Sequence, residues 1–106
     1  MASNFALHPE AFEDLEDIRA YLAEKSTNAA DRVISEVHRT IRDVLVPFPC
    51  AGYRRTDLTS RPLRFYLVLN CYLIAYAAEA PLWIVAVIHA RRSPRVMAAI
   101  LRGRES

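Results

Sequence analysis

Apolar residues recur with helical spacing in two segments of the N-terminal half. Residues 9–25 predict an amphipathic helix, and Pro9 suits its first turn, where no backbone N–H is needed. Its apolar face consists of Phe12, Leu15, Ile18 and Leu22. A second helix is predicted between the capping cluster Ser26-Thr27-Asn28 and Pro47, and the short connection predicts an antiparallel hairpin. Its apolar stripe consists of Ala30, Val33, Ile34, Val37, Ile41, Val44 and Leu45.

The C-terminal half has the shorter and denser apolar runs that are typical of buried strands. Residues 63–69, 71–77 and 83–89 are rich in β-branched and aromatic side chains. A break at Asn70 and a hairpin turn at residues 78–81 separate them. Both faces of the last two segments are apolar, which predicts that the sheet is covered on both sides.

Short elements complete the order at the two ends. Residues 5–8 form a predicted strand before the first helix, and a last helix begins with Ser93 as its N-cap and ends at Gly103. Residues 102–106 are expected to form a flexible tail. The order β-α-α-β-β-β-α predicts a single α+β domain over residues 1–106, with a short strand, a helical hairpin, a three-stranded antiparallel run and a C-terminal helix.

The hydropathy of residues 65–88 could suggest a membrane span. Asn70, Glu79 and Pro81 interrupt this run, and one helix that buried them in lipid would be costly. Strands explain the same residues without that cost, so we expect no membrane partner. The chain does not open on the basic and then apolar order of a signal peptide, which predicts a cytoplasmic protein.

Charge is segregated between the two halves of the chain. Residues 1–52 contain five Lys or Arg and nine Asp or Glu, a net charge of −4, whereas residues 53–106 contain nine Arg and three Asp or Glu, a net charge of +6. The densest basic cluster, Arg91-Arg92, follows the last strand, and Arg95 and Arg102 extend it along the last helix. Such segregation favours an anionic partner, and a merely solvated basic face is the alternative.

Signals for cofactor chemistry are missing from the sequence. Cys50 and Cys71 have neither metal-ligand spacing nor a neighbouring His pair. The chain has no Gly-rich phosphate loop and no nucleophile–base motif. We therefore expect no metal, no cofactor and no small-molecule ligand.

Several short segments, taken in this element order, resemble a known family. They are His8-Pro9-Glu10-Ala11, Asp14-Leu15 with Ile18, Ala29-Ala30, Pro49 with Gly52, Asp57-Leu58, Tyr72 to Tyr76, and Ile84 to His89 with Ala90-Arg91-Arg92. Together they resemble the ParE/RelE superfamily of bacterial toxin–antitoxin toxins, and the ParE branch best. One position departs from the family, because Ser93 stands where an Asp is frequent.

The resemblance implies a toxin of a type II system, of the kind that stabilises plasmids or chromosomes and is neutralised by a ParD-type antitoxin. ParE-like toxins poison DNA gyrase, whereas RelE-like relatives cleave mRNA on the ribosome. The antitoxin is expected to pack across the helical hairpin, and the acidic N-terminal half predicts basic residues on its bound segment. The expected contact residues are Phe12, Leu15, Ile18, Leu22, Val33, Val37 and Ile41.

The residues after the last strand decide between the two activities. Target binding is assigned to Arg91, Arg92, Arg95 and His89. A nuclease would need His89 as a proton donor together with a second acid or base, and no Tyr or His follows it. Taken together with the resemblance to the ParE branch, this absence favours what that branch implies, gyrase poisoning by direct binding without enzymatic activity. The alternatives are a ribosome-dependent mRNA endonuclease and a non-toxic nucleic-acid-binding regulator.

Overall fold

The computed structural model describes residues 4–104 and confirms the predicted α+β order. The strands are β1 (Phe5–Leu7), β2 (Tyr53–Arg54), β3 (Leu63–Val68), β4 (Tyr72–Ala77) and β5 (Leu82–His89). The helices are α1 (Pro9–Ala23), α2 (Thr27–Thr40) and α3 (Pro94–Arg102). A π-helical turn, Ile41–Leu45, prolongs α2, and a 3₁₀ turn, Pro49–Ala51, precedes β2. Strand β2 is an addition to the predicted elements, since its two polar residues carry no periodic signal.

The five strands form one sheet in the order β1-β5-β4-β3-β2. The pairs β2–β3, β3–β4 and β4–β5 are antiparallel, whereas β1 pairs in parallel with β5. The pairing aligns Phe5 with Leu82 and Leu7 with Ile84. Thus the first strand of the chain lies beside the last one, and α1 and α2 connect β1 to the rest of the sheet.

Apolar side chains fill both faces of this sheet. On one face, Leu15 of α1 and Val37 of α2 pack in the same cluster as Ile74, Tyr76 and Ile84. On the other face, α3 covers a second cluster. Met97 and Leu101 of α3 belong to it, together with Leu63, Phe65 and Val85 of the sheet. Two cores with one sheet between them explain why β4 and β5 have apolar residues at successive positions.

Side chains cap all three helices, and two of these caps, Ser26 and Ser93, lie where the sequence predicts them. Ser26 Oγ accepts a hydrogen bond from the Ala29 N–H at 3.1 Å, and Ser93 Oγ accepts one from the Val96 N–H at 3.2 Å. His8 Nδ1 accepts from the Glu10 N–H at 3.0 Å at the start of α1. Each contact satisfies a donor in a first turn that has no partner within its helix.

A buried tyrosine fixes the chain between α2 and β2. The Tyr76 hydroxyl donates to the Pro49 carbonyl at 2.7 Å and accepts from the Gly52 N–H at 2.8 Å. A Cβ at position 52 would lie 2.6 Å from Tyr76 Oη and 2.8 Å from the Phe65 carbonyl oxygen. Only glycine therefore allows this close approach.

The residues after α3 differ from the expected flexible tail. Arg102 still belongs to α3, and the Arg104 guanidinium binds the Asp14 carboxylate, with Nη2 2.8 Å from Oδ1. The side chains of Arg104 and Asp14 are only 11% and 17% exposed. Residues 105 and 106 lie outside the described residues. The mostly buried ion pair between Arg104 and Asp14 holds this end of the chain in place. The polar residues after α3 contain no pattern that would predict this contact.

The Asp14–Arg104 pair also completes an edge of the sheet. Because β1 ends at Leu7, the part of β5 beyond Ile84 has no strand on the side opposite β4. Arg104 Nη1 donates to the Val85 carbonyl at 3.2 Å, and Asp14 Oδ2 accepts from the Val87 N–H at 3.0 Å. The two side chains thus take the place of strand backbone, and they join α1 and the residue beyond α3 to β5.

We predict that Arg104→Ala lowers the free energy of unfolding by about 3 kcal/mol, because it leaves Asp14 without its ion-pair partner in a mostly buried position. Asp14→Ala should have a similar effect. The measurement is urea denaturation of both variants and of the double variant.

The control is Arg102→Ala, which removes an exposed arginine close by and should change stability by no more than about 0.5 kcal/mol. The double variant should lose clearly less than the two single losses added together, since both remove one interaction. Additive losses would show that Asp14 and Arg104 stabilise the fold independently.

Candidate functional site

A surface groove runs between α1, the start of α2, the β3–β4 turn and the end of β5. It consists of three adjoining depressions of about 300, 610 and 380 Å³, all of which include Tyr72. We call it the Tyr72 groove. Its principal lining residues are Tyr21, Leu22, Val33, Leu69, Tyr72 and His89. Aromatic and aliphatic side chains from four separate parts of the chain therefore meet at one exposed surface.

Cationic side chains surround most of this groove. Lys25 and Arg91 lie at its central depression, Arg32 at one end, and Arg92 along the other side. Lys25 Nζ lies 5.0 Å from the centre of the Tyr21 ring. Acidic side chains are confined to the depression beside β5, where Asp14 and Asp17 occur. An apolar floor with a mainly positive rim suits a partner segment that is both apolar and acidic.

His89 is held on both sides of its ring. Its Nδ1 accepts a hydrogen bond from the Arg91 N–H at 3.1 Å, and its Nε2 lies 3.5 Å from Cys71 Sγ. The Tyr72 ring packs edge-on at 5.2 Å between centroids. Burial raises the pKa of the Tyr72 phenol, which stays protonated. Because Nδ1 already accepts the hydrogen bond from the Arg91 N–H, the His89 side chain stabilises the backbone just after β5.

The β3–β4 turn contains an unusual backbone conformation. Leu69 and Asn70 have φ values of 54° and 57°, and the Cys71 N–H donates to the Val68 carbonyl at 2.9 Å. Asn tolerates this left-handed region, whereas for Leu it costs about 1–2 kcal/mol. The side chain of Leu69 is 44% exposed and lines the Tyr72 groove. The turn thus contains a leucine in an unfavourable backbone conformation, and the side chain of this leucine lines the groove.

The structure separates the seven residues expected to bind the antitoxin. Leu15, Val37 and Ile41 are at most 3% exposed and belong to the core, so they offer no surface to a partner. These three positions were predicted to contact the antitoxin, but their side chains pack against the sheet. Of the remaining four, Ile18, Leu22 and Val33 line the groove, and Phe12 is exposed.

The four residues assigned to the target also divide into two places. His89, Arg91 and Arg92 lie at the Tyr72 groove. Arg95 is exposed and belongs to α3, where it is absent from the lining of the groove. Three of the target-binding candidates and three of the antitoxin-binding candidates therefore line the same groove.

Sequence reasoning missed several residues of the groove, among them Tyr21, Leu69, Tyr72 and Arg32. Leu69 was assigned to the end of a strand, although the neighbouring Asn70 was a signal for a turn with positive φ. Tyr21 lies beside the apolar face of α1 and is 60% exposed. An aromatic residue next to an amphipathic stripe could have been interpreted as part of a contact surface.

Residues 4–104 contain neither a metal site nor a membrane-spanning helix. No group of three or more His, Cys, Asp or Glu side chains in this range is arranged to hold a metal ion. Within the same range, no helix combines the length and the hydropathy needed to cross a membrane.

Comparison with known proteins gives one family. A family model described as the ParE toxin of type II toxin–antitoxin systems, parDE, matches residues 5–94. The match includes β1 through β5 and both helices of the hairpin, and it stops at the first residue of α3. The comparison with curated proteins gives no match.

Proposed function

The chain belongs to the ParE family, the toxins of type II toxin–antitoxin systems, and we propose that a ParD-type antitoxin neutralises it by occupying the Tyr72 groove and that its target is DNA gyrase. The observation that carries the proposal is the groove itself, in which apolar side chains and unshielded cations lie together. Toxicity is proposed to result from contact with gyrase and not from catalysis.

The side chains that line the groove support a proposal for the amino-acid composition of the antitoxin segment. Leu22, Val33 and Leu69 suit apolar side chains spaced along one face of a helix or strand. Arg32 and Lys25 at the rim suit carboxylates. The bound segment is therefore proposed to be apolar and acidic. This replaces the expectation of basic residues, which came from the net charge of the N-terminal half and not from the local rim.

Neutralisation follows from the shared position of the two sets of residues. A segment that fills the groove beside Tyr72 would cover Arg91 and Arg92. Gyrase presents acidic protein surface and DNA phosphates, and guanidinium groups bind both. The antitoxin is thus proposed to block target binding by covering the same arginines.

The environment of His89 argues against the mRNA endonuclease. A general acid must deliver its proton to the substrate, but Nδ1 of His89 is occupied by the Arg91 N–H and Nε2 faces Cys71. Burial raises the pKa of the Tyr72 phenol above its usual range, so the deprotonated form that a general base requires is scarcer still. The groove therefore favours a binding function.

We predict that Leu69→Asn weakens antitoxin binding by about tenfold, since it removes one buried aliphatic side chain from the interface. The same change should stabilise the free toxin by about 1 kcal/mol, because Asn is more easily accommodated at positive φ. Calorimetric titration with a ParD-type antitoxin and thermal denaturation measure the two effects.

Leu67→Thr is the matched control. Leu67 is 38% exposed on the same hairpin, precedes the turn and is absent from the groove lining, so its replacement should leave antitoxin affinity unchanged. Equal losses of affinity for both variants, or none for either, would place the antitoxin elsewhere on the toxin.

We predict that replacing Arg91 and Arg92 together with Ala abolishes growth arrest and inhibition of gyrase supercoiling. Both side chains are exposed, so folding should change by less than about 1 kcal/mol. Antitoxin should still be recovered in a pull-down at low salt, because the apolar part of the groove remains. Undiminished growth arrest would contradict a role for these arginines in target binding.

His89→Gln separates contact from catalysis. A contact poison should lose only part of its toxicity, because Gln can still accept a hydrogen bond from the Arg91 N–H. A nuclease that used His89 as its acid would lose all of it while retaining a normal melting temperature. Growth arrest, with RNA integrity followed in parallel, distinguishes the two results.

A further inference from the structure

The outer face of α3 carries a row of positive charge that points away from the core. Arg95 and Arg102 are exposed and seven residues apart, which places them on the same side of the helix with about 10.5 Å between them along its axis. The small residues Ala98 and Ala99 lie between them. The buried residues Met97 and Leu101 anchor the opposite side of α3 on the sheet. The row is therefore rigidly mounted and open to a partner.

A polar basin adjoins this row at Ala98 and Arg102. It has a volume of about 420 Å³ and is formed by Ala98, Arg102 and the loop of residues 56–61. The loop contributes the hydroxyl-bearing residues Thr56, Thr59 and Ser60. Hydroxyls and guanidinium groups together are the donors that proteins use for phosphate oxygens.

Arg61 is fixed at the edge of the basin. Its Nη1 donates to the Leu101 carbonyl at 3.2 Å and to the Arg104 carbonyl at 3.4 Å, at the C-terminal end of α3. This leaves its other nitrogens for a ligand. We refer to Arg95, Arg102 and Arg61 as the α3 basic row.

Within residues 4–104, acidic side chains do not neutralise the two arginines of this row that belong to α3. Asp57 is the acidic residue that lines the basin, and Arg55 binds it through two hydrogen bonds of 2.8 and 2.7 Å. That contact lowers the pKa of Asp57. Among residues 4–104, neither Arg95 nor Arg102 forms an ion pair, in contrast to Arg104. Arginines on a rigid helix that have no ion-pair partner among the described residues favour a polyanion as ligand.

We propose that the α3 basic row and its basin bind the phosphate backbone of duplex DNA. Single-stranded nucleic acid is usually held by stacking on aromatic side chains. The row and basin contain no aromatic residue, whereas Tyr21, Tyr72 and His89 lie at the Tyr72 groove. Binding would therefore be independent of base sequence. The proposal goes beyond the toxin function, because it requires neither antitoxin nor gyrase.

The test is binding of the purified chain to a fluorescently labelled duplex of about 20 base pairs, followed by anisotropy between about 50 and 200 mM salt. Binding should weaken steeply with salt. Arg95→Gln combined with Arg102→Gln should reduce affinity at low salt about tenfold. The same double variant should lower the slope of log affinity against log salt by about two, because each arginine is expected to neutralise one phosphate.

The control is Arg39→Gln combined with Arg42→Gln, which removes the same net charge from two exposed arginines of α2 and the π-helical turn that prolongs it. It should retain most of the affinity and the salt slope of the unmodified chain. Equal weakening by both pairs would show that only net charge matters, and would overturn the proposal. So would tighter binding to the matching single strand, or no duplex binding at low salt. Antitoxin pull-down of the α3 variant should be unchanged, which keeps this outcome separate from the antitoxin proposal.

Discussion

The short length of β1 is the constraint on which the rest of the arrangement depends. Because β1 stops at Leu7, backbone groups of β5 need other partners, and the carboxylate of Asp14 and the guanidinium of Arg104 supply them. This one ion pair fixes α1 against the sheet and also holds the chain just beyond α3. The placement of α1 brings Tyr21 over the end of β5, and the placement of α3 separates the Tyr72 groove from the basic face on the other side of that helix.

Most of the fold could be predicted from the sequence, because it follows from periodicity. The helical stripe around Val37 and the β-rich run around Ile74 are long enough to identify their elements, and Ser93 identifies the start of α3. A strand of two polar residues at Tyr53 has no such signal. The anchoring of Arg104 could not be foreseen either, since a charged residue after a terminal glycine is ordinarily solvated and its partner is ninety positions away.

The candidate site was only partly predictable, for a different reason. An amphipathic helix shows which side is apolar, but it does not show how much of that side the sheet covers. Leu15 and Leu22 belong to the same stripe, yet the first is buried and the second lines the Tyr72 groove. The basic cluster at Arg91 was visible, whereas its position beside the same groove depends on how α1 and β5 meet. Surfaces that form between elements depend on tertiary contacts, which periodicity does not encode.

The parallel pairing of β1 with β5 has a consequence for how the protein is made. Phe5 leaves the ribosome well before its partner Leu82, which belongs to the last strand of the sheet. An N-terminal fragment can form the helical hairpin while it is being synthesised, yet it cannot close the sheet or shape the end of β5. The surface around Tyr72 and His89 therefore arises only after translation of the sheet is complete. Fragments left by interrupted translation therefore lack the complete Tyr72 groove, even where their helical hairpin has formed.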